Sequence, residues 1–201
     1  MHVIGIIGGV ASGKSTIAKR LGQLGAVVLD ADAVGHEVLR NEEVKAALRK
    51  RFGDGVFNTA GEIDRSAVAR IVFAGDATGE QALADLEAIV HPKIGERLAE
   101  KIAALQEDST KAVVLDAALL LKSGWNRLCD TIIFVDVPRE QRLARAATRG
   151  WSPEELDSRD ARQTPIEQKR AAADVVIDNS GELADTLAQV DRFWAKQIHG
   201  A

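Results

Sequence analysis

The sequence predicts an α/β protein, a three-layer domain built on a five-stranded parallel sheet. Three observations predict it. Five short, nearly continuous apolar runs fall at residues 3–7, 26–29, 112–115, 131–137 and 174–177, and strands that are apolar throughout are those buried on both faces. Longer stretches with helical spacing separate the runs, as they must if helices cover both sides of a parallel sheet. A glycine-rich turn joins the first run to the first helical stretch, which begins at Ser15 and extends to about Leu24.

That turn reads Gly8-Gly9-Val10-Ala11-Ser12-Gly13-Lys14-Ser15, the G-x-x-x-x-G-K-S pattern of a loop that wraps a nucleotide's phosphates. Gly8 and Gly13 let the backbone curl where a side chain would clash. The loop N–H groups then point inward, and the helix start adds about half a positive charge aimed at the same anion. Lys14 would reach the terminal phosphates and the Ser15 hydroxyl would bind magnesium. Gly8, Ala11, Ser12, Gly13, Lys14, Ser15 and Thr16 are therefore the candidate nucleotide contacts, and the expected architecture is a P-loop NTPase fold.

Ligands of open parallel sheets bind beyond the C-terminal ends of the strands. Asp32, at the end of the second run, is placed to accept a proton from an attacking hydroxyl; a helix-capping role for Asp30 or Asp32 fits the spacing equally well. Asp116 follows Val113-Val114-Leu115 as the acidic residue of a Walker-B strand does, and is a candidate magnesium ligand or a turn residue.

About eighty residues without a clear strand separate the second and third runs, too many for a simple crossover. Helical patterns at 33–39, 41–52, 66–73 and 80–106, with a Gly-rich break at 53–61, predict a helical insertion that takes the second substrate. His91-Pro92 interrupts the last of these patterns, and His91 is either a substrate contact or a packed residue at a kink. A second insertion spans 150–172. Ser152-Pro153-Glu154-Glu155 reads as a capped helix start and Thr164-Pro165 opens another helix, which together predict a helical lid. Arg145 and Arg149, four apart on one predicted helical face, and Arg159 and Arg162 in the lid are candidate clamps on transferring phosphate; an exposed, purely solubilising role accounts for some of the four.

Composition narrows the class. The 201 residues are 46% hydrophobic and 28% charged, the balance of a soluble domain with a real core. A net charge of −4 argues against a nucleic-acid partner. Residues 139–170 nevertheless hold seven Arg and one Lys against six Asp and Glu, a local excess suited to a small polyphosphate. The single cysteine, Cys129, permits no internal disulfide and implies a reducing compartment; beside an apolar run it is expected to be buried filler. No apolar stretch reaches the ~20 residues of a membrane span. The first strand starts almost at Met1, so no signal peptide is expected.

The chain resembles the dephospho-CoA kinase family over nearly its whole length. The resemblance rests on the P-loop, on Asp30-Ala31-Asp32 with His36-Glu37-Val38, on Ile63-Asp64-Arg65, and on Leu86-Glu87-Ala88-Ile89-Val90-His91-Pro92-Lys93-Ile94. It continues through Arg159, Gln163 and Lys169 to Ala173-Asp174-Val175-Val176-Ile177-Asp178-Asn179-Ser180-Gly181. It implies ATP-dependent phosphorylation of the ribose 3′-hydroxyl of dephospho-CoA, the last step of CoA biosynthesis, with ATP and Mg2+ in the cytoplasm. It implies a P-loop kinase core at 1–32 and 108–201, with the lid at about 150–172, and a helical CoA-binding domain at 33–107. Lys14, Asp32 and Arg145 would be catalytic. Arg149 and Asn179 would join the loop in holding ATP. Asp32, Arg65, His91 and Arg159 would bind the acceptor, and Ser15 and Asp116 the metal. The expected assembly is a monomer or weak homo-oligomer without membrane partners.

One departure stands out. Where the family usually shows Pro-Leu-Leu-Phe-Glu after the third strand, this chain has Ala118-Leu119-Leu120-Leu121-Lys122. Lys122 inverts a charge, so either it contacts substrate phosphate or it faces solvent. The nearest rival function is another small-molecule P-loop kinase, acting on a nucleoside, nucleotide or sugar acid. A GTP switch is disfavoured because no Asn-Lys-x-Asp segment is present. A nucleic-acid ATPase is disfavoured because there is no basic face with interleaved aromatics.

Overall fold

The computed structural model describes residues 1–198. Among them five strands, β1 (His2–Gly8), β2 (Val27–Asp30), β3 (Ala112–Asp116), β4 (Thr131–Asp136) and β5 (Val175–Asp178), form one sheet in the order β2-β3-β1-β4-β5. Every pairing is parallel. β1 therefore lies at the centre, with β3 and β4 on its flanks. Its residues 3–8 are all buried, which explains the unbroken apolar run. β1 also needs a glycine in mid-strand: a Cβ on Gly5 would come within 2.6 Å of Leu120 and 2.8 Å of the Cys129 thiol.

Aspartates set two strand starts. Asp130 accepts the Val3 N–H at 2.8 Å, and Asp174 accepts the Ile132 N–H at 2.8 Å. Asp174 is thus an end residue, and β5 begins one position later than the apolar run predicts.

α1 (Lys14–Gln23) and α9 (Leu183–Gln197) bury Ile17, Leu21, Val190, Phe193 and Trp194 against Ile4, Ile6, Val114, Ile133 and Val135. Each such side chain contributes roughly 1.5–3 kcal/mol, so this layer anchors the central strand and the helix that follows it. After β4 come α6 (Arg139–Ala147), α7 (Pro153–Ala161) and α8 (Ile166–Ala171). Ser152 caps α7 by accepting the Glu155 N–H at 3.2 Å.

The chain divides into two compact units, residues 1–30 with 102–198 and residues 31–101. The second contains α2 (Ala31–Val38), α3 (Glu42–Phe52), α4 (Arg65–Val72) and most of α5 (Ala77–Glu107). Side-chain caps start two of these helices: Asn41 accepts from Glu43 and Val44, and Asp64 from Ser66 and Ala67. Such caps are worth about 1 kcal/mol each. The unit has its own core of Val56, Val68, Val72 and Ala82, with Phe52, Phe57, Ile63 and Leu86 packed against it.

Two details differ from the sequence-based expectation. The Gly-rich segment is closed by an antiparallel bridge between Phe57 and Ile63, where Gly61 turns at φ +76°. α5 runs through Pro92 as one 31-residue helix, so His91-Pro92 lies inside a helix instead of dividing two.

Candidate active site

The P-loop leaves β1 and enters α1 with Gly13 as N-cap at φ 93° and no side-chain cap. The first N–H groups of α1 thus stay open to an external acceptor, as helix starts require. Ser15 is exposed at this end and Thr16 donates its N–H to the Gly13 carbonyl at 3.0 Å. Ala11 adopts φ 62°, a left-handed conformation unusual for a residue with a side chain. Packing holds it there: Val10 and Ala11 form a small apolar cluster with Ala146 of α6 and Leu156 of α7.

Charged side chains grip the loop carbonyls. Lys14 Nζ donates to Gly8 O at 3.3 Å and Gly9 O at 3.1 Å. Lys169 Nζ donates to Gly8 O at 3.0 Å. Arg142 Nη1 donates to Val10 O at 3.3 Å. At Ser12 O, Arg145 Nη1 donates at 3.3 Å and Asn179 Nδ2 at 2.8 Å. A trans peptide points its N–H opposite its carbonyl. Clamping the carbonyls of Gly8, Val10 and Ser12 therefore aims the N–H groups of Gly9, Ala11 and Gly13 away from the clamps, as an anion cradle needs.

The glycines are required by close approach. A Cβ on Gly9 would lie 2.8 Å from the Arg142 guanidinium carbon, and one on Gly8 would lie 2.6 Å from the Ser12 hydroxyl. A Cβ on Gly13 would collide with the Asn179 amide. Ser12 Oγ is buried and has no partner among the described residues, which fits a hydroxyl reserved for an anion.

Burial pushes the Lys14 ammonium below its ordinary value, and the Asp116 and Asp160 carboxylates pull it back up. Burial likewise pushes Lys169 down to about 8, with the Lys14 charge adding to the shift. Asp116 ends β3 directly beside Ile6 of β1, and Asp30 ends β2 directly beside Asp116. Asp116 is half-buried. These are hard oxygen donors of the kind magnesium takes.

Arg145 donates from Nη2 to Asn179 O at 2.7 Å, and Asn179 Oδ1 accepts from Thr186 at 3.0 Å. Both residues thus hold the loop. Arg149 does not share a helical face with Arg145, because α6 ends at Ala147. Gly150, at φ +76°, lets the Trp151 N–H return to Ala146 O at 3.1 Å, which closes the helix. Arg149 still acts on Lys14 electrostatically. Arg159 lies 4.0 Å over the Trp151 ring and pairs with Glu155 at 2.8 Å.

Asp32, Arg65 and His91 belong to the second unit. Asp32 is exposed in the first turn of α2, two residues beyond the end of β2 instead of at its tip. Arg65 is exposed at the start of α4, and His91 is half-buried in α5. Lys122 is exposed.

Arg142, Asp160 and Lys169 also reach the loop, and none of them is among the site residues expected from the sequence. Arg142 lies one turn before Arg145 on α6 and shares its face, so a helical-wheel reading finds it. Nothing local marks Asp160, whose carboxylate reaches the loop from α7.

A parallel sheet whose central strand runs through this loop into a helix defines a P-loop NTPase fold. Comparison with known proteins is more specific. The dephospho-CoA kinase family model matches residues 2–185. A dephospho-CoA kinase from Symbiobacterium thermophilum is 42% identical over 202 residues, covering 100% of this chain and 83% of the relative. One from Thermobifida fusca is 40% identical, covering 96% and 95%. Among solved structures, a Thermus thermophilus protein matches with TM-score 0.78 and 36% identity over 98% of this chain and 97% of its own. The dephospho-CoA kinase of Campylobacter jejuni matches with TM-score 0.74 and 27% identity over 98% of each chain. A shikimate kinase from Acinetobacter baumannii, at TM-score 0.51 and 16% identity over 100% of this chain and 94% of that one, shares the fold. The chain belongs to the dephospho-CoA kinase family and is a kinase. No helix among the described residues is long and apolar enough to cross a membrane.

Proposed function

We propose that this enzyme transfers the γ-phosphoryl group of ATP to the ribose 3′-hydroxyl of dephospho-CoA, giving CoA and ADP in the last step of CoA biosynthesis. The observation that carries the reading is the family match over residues 2–185, joined to a P-loop whose carbonyls are clamped outward by Lys14, Arg142, Arg145, Lys169 and Asn179.

Gly8, Ala11, Ser12, Gly13, Lys14, Ser15 and Thr16 bind the phosphates through backbone N–H groups and side-chain donors. Lys14 exchanges the Gly8 and Gly9 carbonyls for phosphate oxygen and stabilises charge as transfer proceeds. Arg145 orients the loop and adds charge, and Arg149 and Asn179 flank the nucleotide. Asp32 orients the acceptor hydroxyl and takes its proton as the hydroxyl oxygen bonds to the γ-phosphorus and the bond to ADP breaks. Arg65, His91 and Arg159 bind the acceptor. The helical segment 33–107 is the CoA-binding domain, and 150–172 is the lid.

Mg2+, when bound, offsets phosphate charge during transfer, and Ser15 and Asp116 would hold it. In this reading the enzyme works in the cytoplasm as a monomer or weak homo-oligomer and binds neither membrane nor nucleic acid.

The test is incubation with ATP, Mg2+ and dephospho-CoA, followed by chromatography. Equimolar CoA and ADP are expected. ADP formation only with a different acceptor would reject the assignment.

A further inference from the structure

Lys169 is a buried ammonium that lacks a carboxylate of its own. It is 3% exposed. Its Nζ donates to Gly8 O at 3.0 Å and to Gln163 Oε1 at 2.5 Å, and among the described residues no Asp or Glu pairs with it. Three charges from neighbouring elements face it. Lys14 of α1 and Arg142 of α6 oppose its charge, and Asp160 of α7 favours it. Asp160 is already committed to Arg142 at 2.5 Å and to the Val10 N–H at 2.9 Å. Lys14, Arg142 and Lys169 thus set three positive charges at the base of the loop against two carboxylates, Asp160 and the Asp116 that faces Lys14, which leaves a surplus of positive charge. Such a surplus is costly unless a counter-charge arrives.

We propose that Lys169 is a further phosphate-site cation, a positioning residue that fixes the Gly8 carbonyl and whose charge is neutralised only by the polyphosphate in the loop. The inference rests on the nucleotide reading of that loop. It also gives α8 a role: the helix carries to the loop a charge the ligand must complete.

A consequence follows for protons. An ammonium that titrates near 8 in the empty site is held protonated when anionic phosphate arrives beside it. Nucleotide binding then takes up a proton, and affinity falls as pH rises above that value.

The test is calorimetric titration with Mg-ATP in the absence of any acceptor, from about pH 7.5 to about pH 9.5, for the native enzyme, K169R and K169M. Native affinity is expected to fall roughly tenfold over that range. K169R, whose guanidinium does not titrate there, is expected to bind with a much shallower slope. K169M is expected to bind at least about tenfold more weakly at the low end of the range, the effect of one lost charge-assisted contact. Native-like affinity in K169M, or slopes in both variants parallel to the native one, would overturn the proposal. Should neither variant fold, the heat of Mg-ATP binding to native enzyme in two buffers of different ionisation enthalpy decides. Proton uptake near pH 8 supports the proposal, and its absence overturns it. Failure of the native enzyme to bind Mg-ATP would remove the nucleotide reading itself, and this inference with it.

Discussion

Asp160 and Arg142 hold Val10 from its two sides. The Asp160 carboxylate accepts the Val10 N–H at 2.9 Å, Arg142 donates to the Val10 carbonyl at 3.3 Å, and the two side chains pair at 2.5 Å. The next residue, Ala11, is the one forced to φ 62°. The pair therefore keeps the P-loop in a conformation its own backbone disfavours, and it ties α7 to the loop.

Breaking that pair has a defined cost. Asp160→Ala leaves the Arg142 guanidinium, 8% exposed at its side chain, without its counter-charge. Unfolding in urea is expected to show a loss of about 3 kcal/mol with an unchanged m-value, and KM for ATP is expected to rise. A loss below about 0.5 kcal/mol, the range of ordinary surface substitutions, would mean that the pair does not hold the loop.

In the proposed function Lys14 is the charge at the terminal phosphate, and Lys14→Ala removes it. Steady-state assay is expected to show kcat reduced by about 10³-fold or more, the scale of a lost transition-state cation. A variant that retained most of its activity would show that the loop is not where transfer occurs.

Asp32→Asn separates the acceptor from the nucleotide. kcat is expected to fall by about 10²–10⁴ while the Kd for ATP changes little, because in the proposed function the carboxylate acts on the hydroxyl. A parallel loss of ATP affinity would assign Asp32 to the nucleotide instead.

Much of this was legible in the sequence, for physical reasons. Continuous apolar runs marked the strands because β1 and β3 are covered on both faces, and the P-loop declared itself because its glycines and lysine are contiguous. What escaped was tertiary. Arg142, Asp160 and Lys169 meet the loop from three helices far along the chain; in sequence Arg142 and Asp160 resemble any exposed charges on a polar helix, and Lys169, although it belongs to the family resemblance, shows no local sign of its reach to Gly8. Arg149 fell off the expected helical face because Gly150 ended α6 early. Asp32 moved into a helix because α2 starts immediately after β2.

Cys129 illustrates burial acting on reactivity. Its thiol packs where a side chain on Gly5 would sit, and desolvation, helped by the Asp130 charge, raises its pKa to about 12. Near pH 8 almost none is thiolate, so iodoacetamide is expected to label the folded enzyme at least about 10²-fold more slowly than the unfolded chain. Equal labelling rates would contradict that burial. Because the thiol holds its proton longer in the folded state, this group lowers stability as pH rises from about 9 towards about 12.

The most direct test of the central claim is CoA formation by the purified enzyme from dephospho-CoA, ATP and Mg2+, with the native protein and Lys14→Ala run side by side. The native enzyme is expected to form one CoA per ADP and the variant essentially none. Native enzyme that binds ATP yet leaves dephospho-CoA unchanged would contradict it.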